Sequence, residues 1–341
     1  MAVLTLDEVE RISRRMLVAS GASELQADAT ARSIRDAEAE GIRTVGLSYL
    51  PTYCDHVACG KVFGDAVPSV TTPRPGTVVV DAGLGFCHPA YEAGEPHLVA
   101  AARANGIAML TLTHSYSAGV LGWFVERLAR HELVAIMFAN SSALMAPYGG
   151  SRPFFGTNPI AWAAPRAGGA PVVADLSSSA VAWVKVNAAA QAGESIPLGW
   201  ALDANGEPTT DATAALAGSM APAGGHKGSA LALLVDIMSG GVAGSKFSHE
   251  AGSFGGTTDG PPDVGQVVLA IDPGASMGPG YLDRLEHEFA ALAAEPGVRL
   301  PGDRRLASRH HAEQYGVDVP SELMALLDRY ATHGSPARRS A

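Results

Sequence analysis

The stretch Thr77-Val78-Val79-Val80-Asp81 is a β-branched run that reads as a strand. The alanine-rich Ala90–Asn105, closed by Gly106, reads as a helix, and Ile107–Thr113 as a buried strand. Further along, Gly119–His131 carries Trp123, Val125 and Leu128 on one helical face, and Leu133–Ala139 returns to strand character. Two more strands are expected at Ile160–Ala164 and Pro171–Asp175. Elements that alternate in this way indicate an α/β protein, with a sheet flanked by helices.

Outward from that core, the first forty residues read as two helices. Asp7–Ala19 places Val9, Ile12, Met16 and Leu17 at helical spacing and stops at Gly21. Ser23, with Gln26 three residues on, predicts a capping box opening a helix that runs to about Glu40. A third helix is expected over Leu47–Val57, then a linker over Pro68–Pro75. On the C-terminal side, Ala192–Ala221 is rich in turn residues and Gly228–Gly241 reads as one apolar helix. The glycine- and proline-rich Gly252–Gly265 is the best candidate for a mobile loop. Val267–Ile271 predicts a strand, and Tyr281–Ala294 and Ser321–Tyr330 predict amphipathic helices before a frayed tail from His333. The expected division is a helical N-terminal region (1–75), a central α/β cofactor-binding domain (76–250), a C-terminal part packing back on the N-terminal region (251–335) and a tail (336–341).

Composition narrows the function. The formal charge of −10 argues against nucleic acid or an anionic membrane as partner, because both require a basic face. Three cysteines, Cys54, Cys59 and Cys87, cannot close a disulfide framework and suit a reducing compartment. Cys54, His56 and Cys59 form half of a metal site at most, with no second pair at zinc spacing, so no metal is expected. The opening residues already carry Asp7, Glu8 and Glu10 with no apolar signal segment, and no uncharged run of spanning length occurs. The cytoplasm is the expected location.

Generic motifs are silent. No Gly-x-Gly-x-x-Gly follows a strand, no Gly-x-Ser-x-Gly elbow is present, and no His-Glu-x-x-His pair occurs. Lys227 stands among glycines just before a helix, where backbone amides and its ammonium could jointly hold a phosphate.

Longer blocks carry a resemblance. They are Ala139-Asn140-Ser141 through Met145–Gly150 to Phe155–Ile160, then Asp175-Leu176-Ser177 through Ala182, and finally Ile196–Asp203 with Gly224-Gly225-His226-Lys227-Gly228-Ser229. With weaker similarity reaching Pro301-Gly302-Asp303, the chain resembles the malate/L-lactate dehydrogenase family, which is unrelated to Rossmann-type lactate dehydrogenases. The resemblance implies a non-Rossmann α/β fold, a homodimer whose sites are completed between chains, and hydride transfer between NADH or NADPH and a small-molecule substrate. It also implies that Ser117, Ala118, Gly119, Ser141, Asp175, Leu176 and Ser177 line the cofactor. Thr157, Asn158 and Pro159 would form a wall beside it, and Lys227, Pro301, Gly302 and Asp303 would contact its phosphate and ribose.

The departures fall on the chemistry. The family's Ser-His-Gly stands here as Thr44-Val45-Gly46, the following arginine position is Tyr49, and the histidine of Ser-x-His-Phe-Gly is Ser117. Valine moves no proton, and tyrosine cannot make the bidentate carboxylate contact of arginine. The remaining candidates for proton transfer are Thr44, Tyr49, His88, His114, Tyr116 and Ser117. The expectation is an NAD(P)-dependent oxidoreductase acting on an atypical substrate in a biosynthetic pathway, a cyclic imine or a ketone, since an iminium needs no strong acid. The alternatives are a scaffold reused for non-redox catalysis (cyclase, isomerase or lyase) and a silent binding subunit.

Overall fold

The computed structural model describes residues 1–337. The N-terminal part holds β1 (Ala2–Leu4), α1 (Leu6–Ala19), α2 (Glu24–Ala39), a 3₁₀ turn at Arg43–Val45 and α3 (Leu50–Cys59). The middle runs β2 (Ser69–Arg74), β3 (Thr77–Asp81), α4 (Cys87–Asn105), β4 (Ile107–Ser115), α5 (Gly122–Arg130), β5 (Val134–Ala139), β6 (Ile160–Ala164) and β7 (Val172–Leu176). Then come α6 (Trp183–Ala192), β8 (Ala201–Leu202), β9 (Pro208–Thr209), α7 (Ala212–Leu216), β10 (Ser219–Met220) and α8 (His226–Asp236), which runs into a π turn at Ile237–Val242. The chain closes with β11 (Val264–Ile271), α9 (Gly274–Met277), α10 (Tyr281–Ala293), α11 (Asp303–Tyr315), β12 (Val317–Val319) and α12 (Ser321–His333).

The main sheet has seven strands in the order β2-β3-β4-β11-β5-β6-β7. Only β3 and β4 pair in parallel, because α4 carries the chain back between them; every other pairing is antiparallel. The central strand, β11, comes from the last quarter of the chain, and both its faces are apolar, as a strand between two covered faces requires. On one face α4 and α5 pack Leu98, Phe124 and Leu128 against Val80, Leu110 and Val268. Gly94 lets α4 approach closely, since a Cβ there would stand 2.5 Å from the Leu110 side chain. The other face meets α8 and the π turn through Phe138, Val235, Ala243 and Val267. A second core joins α1–α3 to β12 and α12 around Met16, Leu50, Tyr53 and Leu327, and β1 pairs with β12.

Several local expectations change. The Pro68–Pro75 linker is strand β2; Pro73 is tolerated there because β2 is a sheet edge and its register slips between Thr71 and Arg74. The sheet therefore draws β2 and β11 from outside the 76–250 span. Ala192–Ala221 is not merely looped but carries the three-stranded sheet β10-β8-β9, over its own small core. Helices α6 and α11 were not expected: α11 is rich in arginine and histidine and lacks a clear apolar stripe. Residues 252–263, expected to be mobile, have no regular structure but are tied down by Lys61, His56 and Phe254. The chain end is held as far as Ser335, whose amide donates to Ser20 Oγ at 3.1 Å, while Tyr330 donates to Asp55 at 3.0 Å. Residues 338–341 of the tail lie outside the described residues.

The capping box at Ser23 is half formed. Ser23 Oγ accepts from the Gln26 amide, but the Gln26 side chain turns inward. Fully buried, it donates to Ala66 O at 2.8 Å and accepts from Phe86 N at 2.8 Å, joining α2 to the loops on either side of the β2–β3 hairpin. Removing it orphans two backbone groups. Gln26→Ala is expected to cost roughly 2–5 kcal/mol in urea unfolding; an unchanged midpoint would show that water or rearrangement satisfies both groups.

Candidate active site

The C-terminal end of α2, the start of α5, strands β6 and β7 and the start of α11 surround a cleft of about 1060 Å³. Its apolar lining is Ile42, Val45 of the 3₁₀ turn, Val120, Pro159 and Trp162, and Thr44 and Gly119 also line it. Its polar lining includes Glu40, Asp175 and Ser177 at the tip of β7, and Arg304, Arg305 and Ser308 of α11, with Pro301 and Gly302 between.

Each wall has a local cause. The turn bearing Thr44 and Val45 is held by Glu38, whose carboxylate accepts from Leu47 N at 2.7 Å and lies where a Gly46 side chain would sit. Burial raises the Glu38 pKa, and the Leu47 amide opposes that shift. Asp175 accepts from Gly122 N at 2.9 Å and so caps α5 from the strand tip. Burial raises its pKa, against the pull of Gly122 and Arg305. The α11 wall is fixed by ions: Arg305 donates to Glu40 at 3.2 Å, and Arg309 pairs with both Glu40 and Glu126, the latter at 2.7 Å. Val173 N donates to Pro301 O at 3.3 Å, binding the start of α11 to the sheet.

Of the residues expected from sequence, the cleft brings together Thr44, Gly119, Pro159, Asp175, Leu176, Ser177, Pro301 and Gly302. Others stand behind the walls. Ala118 is buried, and Ser117 Oγ accepts from Gly119 N at 3.3 Å, shaping the turn. Thr157 turns its carbonyl to Ser177 Oγ and Ser178 N. Asn158, expected on the cofactor wall, is fully buried and spends its side chain on Ala232 O and Ser248 Oγ. Ser141 is half-buried against Gly156. Asp303 accepts from Leu300 N at 3.0 Å, and Lys227 is exposed at the start of α8, outside the cleft.

Among the candidates for proton transfer, only Thr44 lines the cleft. His88 is a core residue: it stacks on Phe124 at 5.2 Å, neither ring nitrogen has a partner, and burial lowers its pKa to about 3. His114 points outward to Asp263 at 3.0 Å, from a left-handed backbone (φ +50°) where the register of β4 against β11 shifts. Tyr49 and Tyr116 lie in an aromatic cluster behind the Thr44–Val45 turn. Sequence reasoning missed Arg304, Arg305 and Glu40, although the two arginines directly follow Pro301-Gly302-Asp303.

The malate/L-lactate dehydrogenase family profile matches residues 4–328. The chain belongs to that family. It is 44% identical over 330 residues to the (2R)-3-sulfolactate dehydrogenase (NADP(+)) of Chromohalobacter salexigens, covering 96% of this chain and 98% of that protein. It is 40% identical to the Delta(1)-pyrroline-2-carboxylate reductase of Ancylobacter novellus, covering 97% and 98%. The solved Δ1-piperideine-2-carboxylate reductase of Pseudomonas syringae superposes with a TM-score of 0.92 at 36% identity, covering 97% of this chain and all of that one. These relatives are dehydrogenases and reductases, and this chain is an oxidoreductase enzyme with the non-Rossmann α/β fold of its family.

The ion network gives a pH signature. Burial pushes the Glu126 carboxyl up, but Arg309 and Arg130 outweigh it and hold the pKa at about 2, below its ordinary 4.5. A carboxylate lowered on folding stabilises the fold above its unfolded pKa, and that contribution fades as pH falls toward the folded one. Glu126→Gln is therefore expected to lose on the order of 3 kcal/mol at pH 7. The deficit should shrink steadily in unfolding curves taken from pH 5 down to pH 2, and a pH-independent deficit would contradict it.

Proposed function

We propose that the protein is an NADPH-preferring reductase of cyclic imines that also runs the reverse oxidation. One observation carries the reading: a single cleft is lined both by apolar side chains, Val45, Val120, Pro159 and Trp162, and by the cations Arg304 and Arg305. The volume is at the upper limit of ordinary ligand pockets, which suits a dinucleotide together with a substrate. The residues fit such a group chemically. Asp175 and Ser177 can hydrogen-bond the hydroxyls of a ribose, the two guanidiniums suit phosphate, and the apolar side chains suit a flat ring.

When bound, a nicotinamide cofactor supplies or accepts the hydride. The chain's own residues do the rest. Val45, Val120 and Trp162 exclude water from part of the cleft, and the hydroxyl of Thr44, next to Val45 in the chain, orients a substrate heteroatom. Among the described residues lining the cleft there is no histidine, and its two carboxylates are engaged, Glu40 by Arg305 and Arg309 and Asp175 by Gly122 N, which suits an iminium, already protonated at nitrogen, better than a 2-oxo acid. The names of the pyrroline- and piperideine-carboxylate reductases support the same class.

Arg304 is exposed, whereas Arg305 is bound to Glu40, so Arg304→Ala leaves the ion network intact. It is expected to weaken NADPH binding about tenfold in calorimetry while changing NADH binding little; equal losses would place the extra phosphate elsewhere. With NADPH, Δ1-pyrroline-2-carboxylate should turn over at least about 10²-fold faster than pyruvate or oxaloacetate. Robust pyruvate reduction would contradict the imine reading.

The active form in this proposal is a homodimer. α8 and the π turn that follows it leave Leu231, Leu234 and Ile237 each more than 40% exposed, and Lys227 stands at the start of α8. Apolar exposure of this kind on a helix is covered by a partner in most proteins, and here the partner is a second copy whose Lys227 completes the cleft. The cytoplasm fits as the location, since Cys54, Cys59 and Cys87 are all free thiols. Sedimentation at micromolar concentration should show a dimer, and Leu234→Glu a monomer; a wild-type monomer would remove this part of the proposal.

A further inference from the structure

Asp236 is the only charged residue between Gly228 and Gly241, and the fold buries it almost completely. It is the last residue of α8, where the helix runs into the π turn. Three neutral donors converge on its Oδ1: Asn140 Nδ2 at 3.1 Å, Ser248 N at 2.9 Å and Ser248 Oγ at 2.7 Å. A buried carboxylate is costly unless hydrogen bonds meet its charge, so the three donors are drawn to one place. Asn140, just after β5, is fixed further: it donates to Lys246 O at 2.8 Å and accepts from Gly265 N at 3.2 Å.

The same cluster reaches the cleft through Asn158. Ser248 has one hydroxyl hydrogen, shared between Asp236 Oδ1 and Asn158 Oδ1, the latter at 3.1 Å. Asn158 Nδ2 donates to Ala232 O of α8 at 2.9 Å, which fixes the orientation of the amide. Asn158 is completely buried and has a left-handed backbone (φ +38°), a conformation that persists in a residue with a side chain only where its surroundings impose it. The next residue is Pro159 of the cleft lining. The Asn158 carbonyl accepts from Ser178 Oγ at 2.6 Å, and the Thr157 carbonyl accepts from Ser178 N at 2.9 Å and from Ser177 Oγ at 3.2 Å. Ser177 also lines the cleft. The first turn of α8 presses on the same strand tip, since a Cβ on Gly228 would stand 2.8 Å from Ser178 O.

We propose that Asp236 is a positioning residue for the cofactor, setting the Pro159 and Ser177 parts of the cleft wall through Ser248 and Asn158. The proposal rests on the reading of the cleft as a nicotinamide-cofactor site and deepens it. Asp236 does not line the cleft and acts only through its partners. Without its carboxylate the Ser248 amide is left unpaired in the interior, and Ser248 is no longer held against Asn158. The left-handed turn at Asn158 is the strained member of the set, so it gives way first. Pro159 and the β7 tip then lose their fixed spacing, while the ladders of β5, β6 and β7 beneath them keep their own hydrogen bonds.

The test compares Asp236→Ala, Asp236→Asn and Ser248→Ala with the unmodified full chain. In calorimetry Asp236→Ala should bind NADPH about tenfold more weakly. Asp236→Asn keeps an oxygen for the same donors and should restore affinity to within about threefold of the unmodified protein. With Δ1-pyrroline-2-carboxylate, Asp236→Ala should raise the KM for NADPH while kcat changes less than about twofold, because Asp236 touches no reacting atom. A role in stability alone would lower kcat with the folded fraction and leave KM in place, and that result overturns the proposal. Asp236→Asn binding as weakly as Asp236→Ala also overturns it. Hydrogen exchange without cofactor gives a second readout: residues 176–180 should exchange faster in Asp236→Ala, with residues 108–112 of β4 unchanged. Equal acceleration in both segments overturns the proposal. If Asp236→Ala does not fold, Ser248→Ala, which leaves Asp236 two donors, should show the same pattern with affinity lowered about threefold; unchanged affinity and exchange in that variant overturn the proposal. Failure of the unmodified protein to bind NADPH overturns the reading beneath it, while the exchange pattern still decides whether Asp236 holds the wall.

Discussion

Glu40 is the carboxylate on which the cleft depends. It closes α2, is almost wholly buried, and is met by Arg305 and Arg309 from a helix more than 260 residues later in the chain. Burial raises its pKa, so the two guanidiniums must keep it charged. A half-broken set would leave a buried charge unpaired, a larger cost than any single hydrogen bond in the fold. Glu126 of α5 completes the arrangement by taking the other side of Arg309. Three segments distant in sequence thus meet at one corner, and the cleft is the space they leave against β6 and β7.

The sheet supports that corner from below. Because β11 is inserted between β4 and β5, the last quarter of the chain cannot detach as a separate unit without opening the core. β12 then returns to β1 and α12 to α1, which leaves α11 placed across the cleft mouth. Asp175 contributes from the strand tip by capping α5, so the N-terminal amides of that helix are already used by a carboxylate. The positive charge at the cleft resides instead in Arg304 and Arg305. A Rossmann glycine fingerprint, absent from the sequence, would have had no corresponding place to act.

Much of this was legible in the residues, and the failures share a cause. Strands β3 to β7 carried their β-branched and apolar runs openly, and the long family blocks located Asp175-Leu176-Ser177 and Pro301-Gly302 on the cleft. What the sequence did not show were features created by distant partners. Val267–Ile271 read as a strand, but nothing local placed it at the sheet centre. Gln26 read as a cap because its inward partners, Ala66 and Phe86, lie 40 and 60 residues away. Asn158 is placed on the cofactor wall by the resemblance alone; its buried side chain bonds Ala232 O and Ser248 Oγ, partners 74 and 90 residues away. From sequence His56 reads only as part of half a metal site, since its partners Tyr116 and Gly256 are 60 and 200 residues away.

In the proposed function, residues 40–45, 119–122, 173–177 and 301–308 form one cofactor site. Hydrogen exchange with and without NADPH tests it most directly, because each segment reports separately and no substrate is needed. NADPH is expected to slow exchange in all four segments together, and in Lys227-containing peptides where a second copy completes the site. Protection confined to segments outside these four, with residues 173–177 and 301–308 unaffected, would contradict it.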